Sequence, residues 1–264
     1  MSKKLGLPIA YGRTAEIYTW QNGQVLKLFY DWFQLDNIEY ERRISHAVHN
    51  SGLPVPSVGE IIRENDRNGL IYECVDGVSM LDMLSRKPWN IFRYARRMAE
   101  LHAEMHARTI QAEIPKQREK IQEKISQVEI LPVQLQSKIL TALEQMPDEN
   151  QLCHGDFHPG NIMVAGQDEI IIDWIDSTLG NPLADLARTS IIILGSVDAG
   201  ENQSLLMRVF VHIFHRLYLR RYFSLCAGGE REYSRWLPII AAARLSENIK
   251  ELEKWLIVQA EMAS

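Results

Sequence analysis

The stretch Cys153-His154-Gly155-Asp156-Phe157-His158-Pro159-Gly160-Asn161, continued by Glu169-Ile170-Ile171-Ile172-Asp173-Trp174, decides how this chain reads. Asp156 precedes Asn161 by five positions, a short apolar run with a turn follows, and Asp173 closes a strand-like segment. Two carboxylates and an amide in this order suit the movement of a phosphoryl group. That chemistry asks little covalent work of a protein. One carboxylate orients the attacking hydroxyl and accepts its proton, and oxygen ligands hold magnesium on the nucleotide phosphates. Cys153, His154 and His158 lie close by, but they lack the paired spacing by which zinc sites fold around their ion.

Together with Gly180-Asn181-Pro182-Leu183-Ala184-Asp185-Leu186-Ala187, these motifs resemble the aminoglycoside phosphotransferase and choline kinase family, whose fold is protein-kinase-like. The resemblance implies an α+β, bilobal architecture: a small N-terminal antiparallel sheet lobe with one helix, and a larger, mainly helical C-terminal lobe. It also implies ATP and Mg2+ as cofactors, Asp156 as the catalytic carboxylate, and Asn161 and Asp173 as metal ligands, with His154 fixing the loop. Many relatives carry an acidic residue two positions after the metal aspartate; here Ile175 stands there and Asp176 follows. Asp185 is expected as a structural anchor in a helix's first turn, where orphan N–H groups and the dipole favour an acid.

Length and composition agree with such an architecture. A chain of 264 residues with 46% hydrophobic content can bury the core of one large domain or of two small lobes. Met1-Ser2-Lys3-Lys4 does not open a secretory signal, and no apolar run approaches the ~20 residues of a membrane-spanning helix. Cys74, Cys153 and Cys226 are scattered and odd in number, which argues against a disulfide framework and for a reducing cytoplasm. A net charge of −5 argues against general nucleic-acid binding. The expected partner is a small molecule that carries a hydroxyl.

The expected division is a nucleotide-binding lobe with hinge over 1–77 and a catalytic, acceptor-binding lobe over 78–264. In the first, strand-like runs at Leu7 to Trp20 and Gln24 to Phe29 meet at Asn22-Gly23, and a second hairpin is expected to turn at Asn68-Gly69. Between them, Gln34 to Asn50 has helical spacing at Leu35, Ile38, Ile44 and Val48. Lys27 sits inside an apolar strand, where a charge demands an anionic partner. The family resemblance gives it the nucleotide's α- and β-phosphates and a glutamate of the following helix; Glu41 is the choice, with Glu39 as its rival. Gly12, Thr14 and Ala15 occupy the loop that would cover the phosphates, and the Glu73 carbonyl and Val75 N–H would hold adenine.

The second lobe reads as helical. Pro88 to Ala107 carries an apolar stripe, on which His102 and His106 are expected to pack or hydrogen-bond, since no glutamate follows the first as in H-E-x-x-H. Lys116 to Lys124 reads as a solvated face, and Leu131 to Met146, Leu205 to Phe223 and Tyr233 to Met262 as further helices. In the resembled family this last part builds the acceptor pocket. A polycationic aminoglycoside would call for a strongly acidic wall, and the mixed charges here do not form one. The alternatives are a protein serine/threonine kinase and a non-catalytic nucleotide-binding module.

Overall fold

In the computed structural model, residues 5–21, 23–108, 110, 113–200 and 203–262 are described. The chain begins with β1 (Ala10–Tyr11), β2 (Ala15–Thr19), β3 (Gln24–Phe29), α1 (Leu35–Asn50), β4 (Val58–Glu64) and β5 (Arg67–Glu73). The five strands form one antiparallel sheet in the order β1-β2-β3-β5-β4. Helix α1 packs on β4 and β5, and its buried stripe is Ile38, Glu41, Ile44, Ser45 and Val48. Ala15, Phe29, Ile38 and Leu70 form the core between sheet and helix. Leu35, expected on that stripe, is exposed at the helix's first turn.

The second hairpin exists, but its turn is not at Asn68-Gly69. It lies at Asn65-Asp66, both with left-handed φ (49° and 62°), and Asn68 and Gly69 pair within the ladder with Arg63 and Ile62. Gly69 is a packing position: a Cβ there would stand 2.6 Å from Leu26 Cδ1. At the first hairpin, Asn22 lies outside the described residues, and Gly23 has the left-handed φ of 70° that such a turn requires.

There follow β6 (Val78–Ser79), α2 (Met80–Arg86), α3 (Ile91–His106), α4 (Gln117–Ser126), α5 (Val133–Glu144), β7 (Gln151–Cys153), β8 (Ile162–Ala165), β9 (Asp168–Ile171) and β10 (Thr178–Gly180). The C-terminal helices are α6 (Pro182–Asp198), α7 (Leu205–Leu225), α8 (Glu230–Arg244) and α9 (Lys250–Glu261). The single helix expected from Tyr233 to Met262 is broken: a 3-10 turn at Leu245–Glu247 leads to Asn248 at φ 53°. Asparagine tolerates that left-handed conformation, so a helix stops there without glycine or proline.

Two compact units result. One gathers the chain up to Asp82, Ile110 and Gly160–Ile175; the other gathers the remainder from Met83 onward. These units cross the chain-order boundary at residue 77, because β6, β8 and β9 form a three-stranded sheet within the first unit, where Ile171 N–H also donates to the Pro54 carbonyl at 2.8 Å. In the second unit, β7 pairs with β10, α3 packs on α7, and α6 packs on α7 and α8. Among the described residues no helix is long and apolar enough to cross a membrane.

Candidate active site

In the first unit, three charges converge. The Lys27 ammonium on β3 lies 2.7 Å from Glu41 Oε1 and 3.0 Å from Asp173 Oδ1. Glu41 falls on the buried stripe of α1, one turn from Ile44 and Ile38, and is only 1% exposed; Glu39 is exposed. Tyr72 donates to the same Glu41 oxygen at 2.8 Å and lies 3.1 Å from the Ser45 hydroxyl. Burial opposes the charge on Lys27, but Glu41 and then Asp173 outweigh it and hold its pKa above the ordinary lysine value.

Asn161 and Asp173 flank the β8–β9 hairpin. Ile162 pairs with Ile171, and Ile172 N–H donates to the Asn161 carbonyl at 3.0 Å, which fixes both residues at one end of the hairpin. Asp173 adopts φ 65°, a strained backbone for a non-glycine residue. Its carboxylate is 41% exposed, so oxygen remains accessible beside Lys27. An amide and a carboxylate brought together in this way are the hard oxygen donors that divalent cations such as magnesium prefer. The other positions expected to meet a nucleotide lie in the same unit. Gly12 N–H donates to the Ala15 carbonyl at 2.8 Å and Tyr30 N–H to the Thr14 carbonyl at 2.9 Å, closing the loop between β1 and β2. Glu73 ends β5, its carboxylate accepting from the Ser57 N–H and hydroxyl, and Cys74 N–H donates to the Gly23 carbonyl; Val75 follows.

The second unit holds Asp156. The loop after β7 bends at Gly155, whose φ is 79° and where a Cβ would overlap the Asp176 carbonyl. Asp185, buried at the start of α6, clamps this loop: Oδ2 accepts from His154 N–H and Oδ1 from Gly155 N–H, both at 2.8 Å. His102 and His106 Nε2 approach the same Oδ2 at 3.1 and 3.3 Å, and their Nδ1 atoms face the Tyr218 and Tyr222 hydroxyls at 2.5 and 2.7 Å. The two histidines and Asp185 cluster closely enough to suggest a metal, yet each ring nitrogen already has a hydrogen-bond partner, which explains the arrangement without an ion. Burial and the neighbouring His106 push the His102 pKa down to about 3, so it is neutral.

Asp156 N–H donates to His154 Nδ1 at 3.2 Å, and its carboxylate faces His158 Nε2 at 3.5 Å. Burial works against its charge, but His158, Arg188 and His154 together hold its pKa well below the usual carboxylate value. Arg188 and the Lys120–Asp176 pair were not legible in the sequence. Arg188 Nε donates to the Gly155 carbonyl at 3.0 Å and its other end pairs with Glu247. Lys120 reaches Asp176 Oδ1 at 2.8 Å. Both arise from contacts distant in the chain, and only the acid after Ile175 hinted at either.

A profile described as the phosphotransferase enzyme family matches residues 17–218. Against curated protein sequences nothing matches significantly. Among solved structures the chain is similar to a choline/ethanolamine kinase family protein from Mesorhizobium loti, at 15% identity and TM-score 0.62 over 99% of this chain and 87% of that one. It is also similar to the ADP-bound aminoglycoside phosphotransferase APH(2'')-Ib, at 15% identity and TM-score 0.62 over 98% and 95%. The amicoumacin kinase hAmiN in complex with AMP-PNP, Ca2+ and Ami matches at 13% identity and TM-score 0.64 over 97% and 87%. These likenesses establish the kinase-like fold, and the profile, which spans most of the chain, carries the assignment: this protein belongs to the phosphotransferase enzyme family.

Proposed function

We propose that the protein transfers the γ-phosphoryl group of ATP to a hydroxyl of a small molecule, with Asp156 as the catalytic carboxylate. The observation that carries this reading is the placement of Lys27 between Glu41 and Asp173. A lysine so paired is held in position to meet the nucleotide's α- and β-phosphates. Asn161 and Asp173 would hold magnesium, which when bound supplies charge neutralisation on the phosphates. Gly12, Thr14 and Ala15 would cover the phosphates, and Glu73 and Val75 would meet adenine through their backbones.

Asp156 acts on the acceptor. Its depressed pKa makes it a weak base that is fully ionised at neutral pH. Such a group orients the hydroxyl and takes its proton late, which suits a loose transition state in which positioning and electrostatics supply most of the acceleration. A non-catalytic nucleotide-binding module would have no use for this ionised, clamped carboxylate. A protein kinase is disfavoured because only Trp174 to Asn181 separates Asp173 from α6, leaving no room for an activation segment.

The test is phosphoryl transfer from Mg-ATP to a panel of hydroxyl acceptors. Asp156→Asn should lower transfer by on the order of 10²–10⁴-fold with an unchanged thermal melt. Comparable turnover by a folded variant would sink the catalytic assignment.

A further inference from the structure

Beside the loop of Asp156, the second unit contains a recess whose two lysines the phosphoryl-transfer reading does not use. Gly155, Asp176, Lys120, Lys124 and Arg188 line it, with Ile121, Ile240 and Ala243 as apolar wall. Its volume is about 50 Å³, room for a few water molecules or a group of carboxylate or phosphate size, and not for a sugar ring.

The charges at this recess are unevenly matched. Lys120 is neutralised by Asp176 at 2.8 Å, and Arg188 by Glu247. Glu247 also stands 3.6 Å from Arg244 Nε, so one carboxylate serves several cations. Asp185 gives its charge to the loop and the two histidines, and Asp156 is taken by His158 and Arg188. Lys124 is the most loosely matched. Its ion pair with Glu247 spans 3.8 Å, beyond hydrogen-bonding distance, Asp176 reaches it only as a charge already engaged by Lys120, and among the described residues it donates no hydrogen bond. Burial, and then the proximity of Arg188, lower its pKa against the opposing pull of Asp176 and Glu247. An ammonium with unmet donors, on a small recess one residue from Asp156, is arranged to receive an oxyanion.

Resting on the phosphotransferase reading above, we propose that this recess, through Lys124, binds an anionic group of the acceptor. The acceptor is then a hydroxy compound bearing a carboxylate or phosphate, in contrast to a polycation. The oxyanion docks on Lys124 and Arg188, and the acceptor's hydroxyl is thereby presented to the neighbouring Asp156.

The test is calorimetric titration of the full chain with D-glycerate and with glycerol 2-phosphate, against glycerol and ethanolamine. The comparison proteins are Lys124→Met and, as a surface control, Lys138→Met on the exposed side of α5. We expect one or both anions to bind the wild type and the control, and Lys124→Met to weaken that binding by tenfold or more with Mg-ATP affinity unchanged. A preference for glycerate identifies a carboxylate acceptor, and a preference for glycerol 2-phosphate a phosphorylated one. Absence of binding by both anions, equal affinity in folded Lys124→Met, or stronger binding of ethanolamine would overturn the proposal. The readout is binding, so a chain that binds these anions yet moves no phosphoryl group would keep the anion recess and lose only the kinase reading.

Discussion

At Lys27, stability and the proposed nucleotide contact meet in one residue. Its partner Glu41 is buried and is also held by Tyr72, so it depends on the lysine for compensation of its charge. Removing one member of a buried ion pair costs more than the pair contributes, because the other charge is left stranded. Lys27→Met should therefore lower unfolding stability by about 3 kcal/mol in urea titrations, and it should also weaken Mg-ATP binding. Adding Glu41→Gln to that variant should recover part of the stability and none of the nucleotide affinity. Equal stability of Lys27→Met and wild type would show that Glu41 is compensated elsewhere. Glu41 could be chosen over Glu39 from the sequence because it shares a helical face with Ile38 and Ile44. That Asp173 also reaches Lys27 could not, since the two are brought together by the packing of separate sheets.

At the scale of elements, the β4–β5 hairpin separates what local chemistry specifies from what it does not. Asparagine followed by glycine is the favoured type I′ turn, so Asn68-Gly69 is the natural reading of this segment. The chain instead turns at Asn65-Asp66, a pair that also tolerates positive φ, because this register sets Gly69 beneath Leu26 and brings Leu70 into the core. Asp66→Gly should be neutral or stabilising by up to about 1 kcal/mol, since glycine carries no penalty at that φ. Gly69→Val should cost about 1–3 kcal/mol through overpacking. Chemical denaturation compares the two; a larger loss at Asp66 than at Gly69 would contradict this register. The break at Asn248 is of the same kind: no glycine or proline marks it, yet it ends the helix where Glu247 meets Arg188.

For the molecule as a whole, the second unit is organised around one buried carboxylate. Asp185 joins the loop of Asp156 to α3, and through the two histidines to α7. This sets an acid limit on stability. The folded His102 pKa of about 3 lies below the ordinary 6.5, so between these values the unfolded chain binds the extra proton. Stability from this group is complete above pH 6.5 and declines as pH falls toward 3, by about 2 kcal/mol at pH 5. Melting temperature followed from pH 7 to 5 should fall in the wild type and fall less steeply in His102→Asn, which is expected to be less stable throughout. Parallel curves would mean that His102 does not carry the dependence. By itself the sequence determined the α1 and α3 helices, which rest on period, and, through the family resemblance that a few contiguous runs of side chains carry, the fold class. Only the tertiary structure decided the register of β5, the clamp on Asp185 and the loosely paired ammonium of Lys124. Each of these depends on groups far apart in the chain, whose energies are set by burial and by shared partners that no local pattern records.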